Sequence, residues 1–134
     1  MSALHKPSPH ESAVEHVTGR AVYTDDLTPA GCLHGVVVRS PTAAGRLLGI
    51  ETDAAAALPG GRAVLTAADV PGDPLVGPIV HDEAVLATGA VHYLGQPVAV
   101  VFAETREQAR VAAAAVAVSI EETPPVLGID AAVE

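Results

Sequence analysis

Three short stretches of the sequence carry side chains that could bind a metal, transfer a proton or hold a partner. The first, HESAVEH at residues 10–16, contains two His and two Glu, and imidazole and carboxylate groups are metal ligands. Its two His lie six positions apart, which is not the HExxH spacing of a zinc site. A short charged tract also binds tightly only with supporting contacts around it. We therefore favour a solvated N-terminal segment and keep a small metal-binding role as the alternative.

The second stretch, YTDD at residues 23–26, places two carboxylates side by side. An acid–base pair must converge on one bound group, whereas neighbours in an extended chain point to opposite faces. We therefore predict a turn in which an Asp side chain accepts a hydrogen bond from a local backbone N–H. His81 and His92 are isolated titratable groups without a nucleophile or an orienting partner nearby in sequence. A structural or surface role is favoured over catalysis for both.

The third stretch is Gly95-Gln96-Pro97, which precedes the apolar run at 98–103. Pro97 lacks an N–H and fits the first residue of a strand, and it biases Gln96 toward extended backbone. Gly95 permits a bend or a close backbone approach. The Gln96 amide, which both donates and accepts hydrogen bonds, then has two uses. It bonds its own loop, as buried amides more often do, or it belongs to a surface on which other domains dock.

The sequence contains no nucleotide-binding or hydrolase motif. The P-loop, the GxGxxG fingerprint after a strand and the GxSxG elbow are all absent. The one cysteine, Cys32, can neither form a disulfide within the chain nor hold an iron–sulfur cluster, which usually takes four cysteines. We therefore expect no catalytic, cofactor-binding or metal-binding residue in this chain, and we expect a module that packs or docks.

The composition fits one globular domain that does not bind nucleic acid. The 134 residues are 49% hydrophobic but only 2% aromatic, so the core must consist of Val, Ala, Leu and Ile. Seven basic and sixteen acidic residues give a net charge of −9, which disfavours nucleic acids and anionic membranes as partners. No apolar run approaches the roughly 20 residues of a membrane span, and no signal-peptide pattern opens the chain. We expect a cytoplasmic protein.

The hydrophobic pattern predicts an α+β fold, which is mixed α/β in its elements, with at least five strands and two helices. The predicted strands are 33–40, 45–53, 62–67, 83–87, 96–104 and 117–123, and the predicted helices are 53–60 and 105–116. Asp53 fits the N-cap of the first helix, and Thr105 and Gln108 fit a capping box at the start of the second helix. Two Pro and three Ser mark residues 1–12 as a flexible arm ahead of a domain at 13–134.

The strongest predicted unit is the last strand–helix–strand sequence. The continuous apolar run at 98–103 is typical of a strand that is covered on both faces. The helix that follows is long enough to return the chain parallel to that strand. We therefore predict a C-terminal, right-handed βαβ unit in a mixed sheet.

Five segments occur in the order and at the spacings found in one enzyme family. They are VYTDDL, LHGVVVRSP, AVLTAADVPG, GPIVHDEAVLA and the long stretch that runs from VHYLGQPVAVV to EETPPVL. Together they resemble the N-terminal a/b hammerhead domain of the molybdenum-binding large subunit in the xanthine dehydrogenase and aldehyde oxidase family, over about residues 6–134. The opening KPSPHESAVEHVTG resembles the bacterial xanthine dehydrogenase type. In one departure, Ala44-Gly45-Arg46 stands where the family commonly has His, a small residue and Arg.

The resemblance implies part of a complex oxidoreductase. Such an enzyme hydroxylates hypoxanthine or xanthine at a molybdopterin-bound molybdenum and passes electrons through [2Fe-2S] clusters and FAD to NAD. The family's catalytic and cofactor-binding residues would lie beyond Glu134, so none is assigned here. The implied partners are the remaining domains of the large subunit and an iron–sulfur/FAD subunit.

We expect this chain to be a non-catalytic structural domain that is inactive by itself, either excised or separately encoded. The alternative is a free-standing binding or assembly module of the same fold with no redox role.

Overall fold

The structure is a computed structural model that describes residues 10–133. These residues form two compact units with a boundary between Cys32 and Leu33. Residues 1–9, which hold most of the arm predicted at 1–12, lie outside the described residues. No helix in the described part of the chain is long and apolar enough to cross a membrane.

The first unit contains one short helix and one turn. Helix α1 (Ala13–Thr18) ends at Gly19, whose φ of 69° is a left-handed conformation that glycine adopts readily. The Glu15 carbonyl accepts a hydrogen bond from the Arg20 N–H at 2.9 Å, just beyond the helix. No residue of α1 is buried, so packing of side chains contributes little to this helix.

In the described part of the second unit, eight strands form three antiparallel sheets and three α-helices accompany them. The strands are β1 (His34–Arg39), β2 (Gly45–Glu51), β3 (Gly61–Thr66), β4 (Leu75–Val76), β5 (Glu83–Ala84), β6 (Ala90–Val91), β7 (Pro97–Ala103) and β8 (Ala117–Glu122), and the helices are α2 (Asp53–Ala56), α3 (Arg106–Ala114) and α4 (Ile129–Val133). Sheet A has the order β1-β7-β3, sheet B has the order β6-β2-β8, and β4 pairs with β5. The predicted α+β fold is confirmed.

The predicted parallel βαβ unit in a mixed sheet is wrong, although its strand–helix–strand order is present. β7 is the central strand of sheet A, whereas β8 is an edge strand of sheet B. All strand pairs between residues 33 and 133 are antiparallel. Helix α3 therefore carries the chain from one sheet to the other. The length of the connecting helix limits how far apart the two strands can lie, but it does not determine which strand β8 pairs with.

The capping signals predicted at the helix starts are confirmed only in part. The Thr105 hydroxyl oxygen accepts a hydrogen bond from the Gln108 N–H at 3.2 Å, as a capping residue does. The same hydroxyl donates to Gln108 Oε1 at 3.1 Å, so the Gln108 side chain bonds Thr105 Oγ1 where the reciprocal bond of a capping box would use the Thr105 N–H. At α2 the helix-capping position belongs to Thr52, and the prediction that Asp53 caps this helix is wrong.

The core of the second unit lies where both sheets meet α2 and α3. Its buried residues are Val38, Ala55, Ala87, Val91, Val98, Ala99, Val101, Ala112 and Val116, with half-buried Leu47, Ile50 and Ile120 among the residues packed around them. These side chains are aliphatic, as the low aromatic content predicts. Because Ala109 and Ala112 are the buried residues of α3, this helix can approach the sheet closely.

From residue 99 onward strand β7 is fully buried on one face only, although Val98 at its start is also buried, so the prediction that both faces are covered is wrong for most of this strand. Ala99, Val101 and Ala103 point toward the helices and are at most 1% exposed. Val100 and Phe102 alternate with them and are only partly buried. The continuous apolar run therefore serves two different faces, one inside the core and one at the surface.

Candidate functional site

The turn between β6 and β7 is held by its own side chains and backbone. Its Gln96 N–H donates to the Tyr93 carbonyl at 3.2 Å. Between them Gly95 has a φ of 85°, a conformation that other residues rarely adopt. The Gln96 side chain is 5% exposed, and its Oε1 accepts a hydrogen bond from the His92 N–H at 2.7 Å. Gln96 thus bonds its own loop, the first of the two uses considered for it.

The segment after β1 clamps the same turn from the other side. The Ser40 N–H donates to the Gln96 carbonyl at 2.8 Å, and the Gly95 N–H donates to the Ser40 carbonyl at 3.0 Å. The Ser40 hydroxyl donates to the Thr42 carbonyl at 2.7 Å. Between residues 10 and 133, Ser40 and Gln96 are the two buried polar residues, and both are used by nearby backbone. Pro97 opens β7, as predicted.

The clamped turn holds apolar side chains out toward solvent beside a groove. Tyr93 and Leu94 are 46% and 68% exposed. They belong to one wall of a groove of about 860 Å³, which we call the turn groove. Its other walls come from 43–46 and from 123–127. Arg46 in this lining pairs with Glu121 at 2.8 Å. The groove is therefore a mostly apolar surface whose one cationic side chain already has a carboxylate partner.

The two neighbouring carboxylates of the YTDD stretch form a turn, as predicted. Thr24–Asp26 is a short 3₁₀ helix, and Asp26 Oδ2 accepts a hydrogen bond from the Tyr23 N–H at 2.9 Å. The same arrangement recurs at Thr66 and Asp69, where Asp69 Oδ2 accepts the Thr66 N–H at 2.8 Å. That second turn was not predicted, although a Thr followed three residues later by Asp is a detectable signal.

The HESAVEH stretch brings its two His rings together without forming a metal site. The His10 and His16 rings meet edge to face with centroids 5.8 Å apart, and His16 Nδ1 lies 2.7 Å from Tyr23 Oη. Glu11 precedes helix α1, whereas Glu15 lies within it. Within the described residues, no group of three or more His, Cys, Asp or Glu side chains is placed to hold a metal ion.

The remaining sequence candidates do not converge on one site. His81 and His92 are both exposed and lie in different loops, one before β5 and one after β6. Molybdopterin, FAD and [2Fe-2S] clusters need several polar or thiolate groups aimed at one place. The described residues do not fit any of the three, because their two buried polar residues, Ser40 and Gln96, both bond nearby backbone.

Fold and site together define an α+β domain whose polar groups stabilise its own turns and whose exposed apolar side chains border open grooves. A sequence model of the aldehyde oxidase and xanthine dehydrogenase a/b hammerhead domain matches residues 18–124. The chain belongs to this family of hammerhead domains, and it is a domain of the molybdenum hydroxylases.

Relatives and solved structures extend this match over nearly the whole chain. Xanthine dehydrogenase from Oryza sativa subsp. japonica is 41% identical over 99% of this chain and 10% of its own length. The structure of aldehyde oxidoreductase from Desulfovibrio gigas has a TM-score of 0.84 and 33% identity, covering 92% of this chain and 15% of that chain. CO dehydrogenase from Oligotropha carboxidovorans has a TM-score of 0.82 and 35% identity, covering 90% and 15%. The chain thus spans about a tenth of the length of the curated xanthine dehydrogenases from Oryza sativa and Arabidopsis thaliana that it resembles.

Proposed function

We propose that this chain is the structural hammerhead domain of a xanthine dehydrogenase-type enzyme and carries no catalytic residue itself. The observation that carries the proposal is 41% identity to a xanthine dehydrogenase over 99% of the chain, in a domain whose titratable side chains do not converge. The whole enzyme hydroxylates a purine in the cytoplasm. Molybdopterin, [2Fe-2S] clusters and FAD are held by other domains and by a partner subunit, and the electrons go to NAD.

In this proposal the domain docks on the rest of the large subunit through the turn at 92–97 and the turn groove. The support is geometric. The buried bonds of Gln96 and Ser40 fix the backbone, so that Tyr93 and Leu94 are presented at low entropic cost on binding. Exposed aromatic and aliphatic side chains beside a groove are typical anchors of an interface. Gly95, Gln96 and Pro97 support these anchors from below.

The first experiment asks which enzyme the chain belongs to. The chain is tagged in its own organism and the complex is purified on that tag. We expect a molybdenum-containing complex that reduces NAD with xanthine and does so poorly with CO or simple aldehydes. A complex that prefers an aldehyde or CO contradicts the xanthine assignment, and a chain recovered without any partner contradicts the structural-domain proposal itself.

The second experiment tests docking at the turn. Leu94→Asp places a charge on the exposed rim without touching the core, and Ile79→Asp is the control because Ile79 is 92% exposed on another loop. We expect Leu94→Asp to lower recovery of the assembled complex at least about tenfold while Ile79→Asp does not. Gln96→Ala is a further variant, since it leaves the His92 N–H without its acceptor and loosens the turn. If Leu94→Asp and Gln96→Ala both assemble as well as the Ile79→Asp control, docking at this turn is excluded.

A further inference from the structure

The outward face of sheet A is apolar across all three strands. Because residues paired across an antiparallel ladder share a face, the register identifies its members. Val37 of β1 and Leu65 of β3 both lie opposite Val100 of β7. Val37 is 40% exposed and Leu65 is 37% exposed. These three residues and Phe102 form what we call the open face.

The Phe102 ring lies against the sheet because its neighbours across the strands have little or no side chain. Its neighbours across the sheet are Gly35 and Ala63, the smallest residues available. A Cβ built on Gly35 would lie 3.1 Å from Phe102 Cε1, which is tighter than ordinary van der Waals contact. The ring therefore rests against the backbone of β1 because position 35 has no side chain. The result is a continuous aliphatic and aromatic surface over the sheet.

The rim of the open face adds more apolar surface and no unpaired charge. The face lines a groove of about 450 Å³ that is bordered by Val70, Pro71, Val85, Leu86 and Pro97. Its one ionisable lining residue is Asp69. Asp69 Oδ2 accepts hydrogen bonds from the Thr66 N–H at 2.8 Å and from the Thr66 hydroxyl at 3.1 Å. A fitting occupant therefore offers aliphatic or aromatic side chains rather than charge.

The outward face of sheet B shows what a water-facing sheet looks like in the same molecule. Arg46 lies opposite Glu121 and pairs with it, and Gly49 lies opposite Ser119. Antiparallel sheets with one solvated face alternate apolar and polar residues in this way. Sheet A breaks that alternation at Val37, Leu65 and Val100. Its sequence is that of a sheet covered on both faces, and in this chain the second face is covered only in part.

We propose that, in the whole enzyme, the open face is covered by an apolar segment of the large subunit's own polypeptide. This inference rests on the proposed function and adds a second docking surface, separate from the turn groove. The segment inserts aliphatic or aromatic side chains between Val37, Leu65 and Phe102. It makes few hydrogen bonds to this domain, because the open face presents no unpaired polar side chain in the described chain.

The size of the open face favours a segment of the same polypeptide over a second copy of this chain. A stable interface takes about 800 Å² and roughly 20–30 residues from each partner, whereas 11 residues line the groove of the open face. A covalently attached segment needs less, since tethering supplies a high effective concentration. The relatives have ample polypeptide for this purpose, because the chain covers 10% of the rice xanthine dehydrogenase and 15% of the Desulfovibrio gigas chain.

The test is thiol labelling in the purified complex. Leu65→Cys reports on the open face, and Leu48→Cys is the matched control, since Leu48 is 57% exposed in strand β2 of sheet B. Each site's labelling rate by a maleimide is divided by its rate in the unfolded complex, and peptide mass spectrometry separates both sites from Cys32. We expect the normalised rate at Leu65→Cys to be at least about tenfold lower than at Leu48→Cys. Val37→Cys repeats the test at a second position.

The outcomes separate this inference from the proposed function. If this domain purifies with the rest of the large subunit but Leu65→Cys and Val37→Cys label as fast as the control, the inference is overturned and the proposed function stands. If this domain purifies without the rest of the large subunit, both are overturned. Protection that rises with the concentration of the chain alone indicates a second copy. Protection that the chain alone shows at every dilution means that the fold of the domain, or a bound small molecule, shields the site. Either result also overturns the inference.

Discussion

The outward faces of the two three-stranded sheets differ although their inward faces share one core. Sheet B presents the Arg46–Glu121 ion pair and Ser119 outward, whereas sheet A presents Val37, Leu65 and Val100. Burying an ion pair costs desolvation, and exposing aliphatic side chains forgoes about 25 cal/mol for each Å² left in water. The outward face of sheet B therefore suits water, and the outward face of sheet A suits an apolar cover.

The difference teaches that the composition of a sheet's outward positions indicates what covers it. β2 and β8 present both polar and apolar residues to the surface, since Arg46 pairs with Glu121 there and Leu48 is 57% exposed. β7 is apolar at every position from 97 to 103, which is typical of a strand that other structure covers on both faces. Matched positions on the covered and open faces can therefore be compared by mutation, beginning with the largest expected effect.

The largest effect is expected for a charge on the covered face of β7. Val101 is 1% exposed, so Val101→Asp buries an unpaired carboxylate and should destabilise the chain by more than about 4 kcal/mol. Val100→Asp, one residue away on the open face, leaves the carboxylate near water and should cost less than about 2 kcal/mol. Soluble yield and urea denaturation followed by circular dichroism measure both. Equal loss from the two variants would mean that the faces of β7 do not differ.

The next effect concerns assembly. Leu65→Glu charges the open face, and Leu48→Glu makes the same change in sheet B, where Leu48 is 57% exposed. We expect Leu65→Glu to weaken docking of this domain on the rest of the large subunit by about 2 kcal/mol, which is roughly 30-fold, while Leu48→Glu changes it less than about threefold. The chain's own thermal midpoint should change little in either variant. If both variants reduce assembly to the same extent, the outward face of sheet A is no more a docking surface than that of sheet B.

Much of the fold follows from local signals, because each of them depends on a few neighbouring atoms. Pro97 opens β7, Gly95 makes the bend before it, and Asp26 accepts a hydrogen bond from its own turn. The predicted ends of the strand at 97–103 and of helix α3 lie within one or two residues of the observed ends. The two-residue strands β4 and β6 are missing from the predicted strands, since so short a stretch shows little alternation, and the strand predicted at 83–87 proves to be the two-residue β5.

Pairing and coverage could not be predicted in the same way, because they depend on distant parts of the chain. Nothing in residues 97–122 specifies that β8 joins β2 in sheet B rather than returning beside β7. The expectation of coverage on both faces of β7 came from its composition. That composition is explained if the second layer belongs to the whole enzyme rather than to this domain. Gln96 illustrates a third case, since the sequence allowed both a local and a docking role and the structure shows its local bond.

A smaller effect is expected from shortening neighbouring valines in β1. Val38 is 8% exposed and Val37 is 40% exposed. Val38→Ala removes the two buried γ-methyl groups, each contributing about 0.8 kcal/mol, and leaves a small cavity. We therefore expect the free energy of unfolding to fall by about 2 kcal/mol. Val37→Ala should cost less than about 1 kcal/mol in the isolated chain. Thermal or urea denaturation measures the difference, and in the assembled enzyme the gap between the two variants should narrow if Val37 becomes buried there.

The smallest effect is expected on the outward face of sheet B. The side chains of Arg46 and Glu121 are 66% and 58% exposed and pair at 2.8 Å. Glu121→Gln should therefore change the free energy of unfolding by less than about 1 kcal/mol. Glu51→Gln is the control, because it removes the same charge opposite Ala117 and accounts for the general repulsion in a chain of net charge −9. The difference between the two variants should vanish near 1 M salt, where screening acts over about 3 Å. A loss from Glu121→Gln as large as that from Val38→Ala, persisting in salt, would show that this face contributes to folding as a core does, and the distinction between the two sheets would no longer hold.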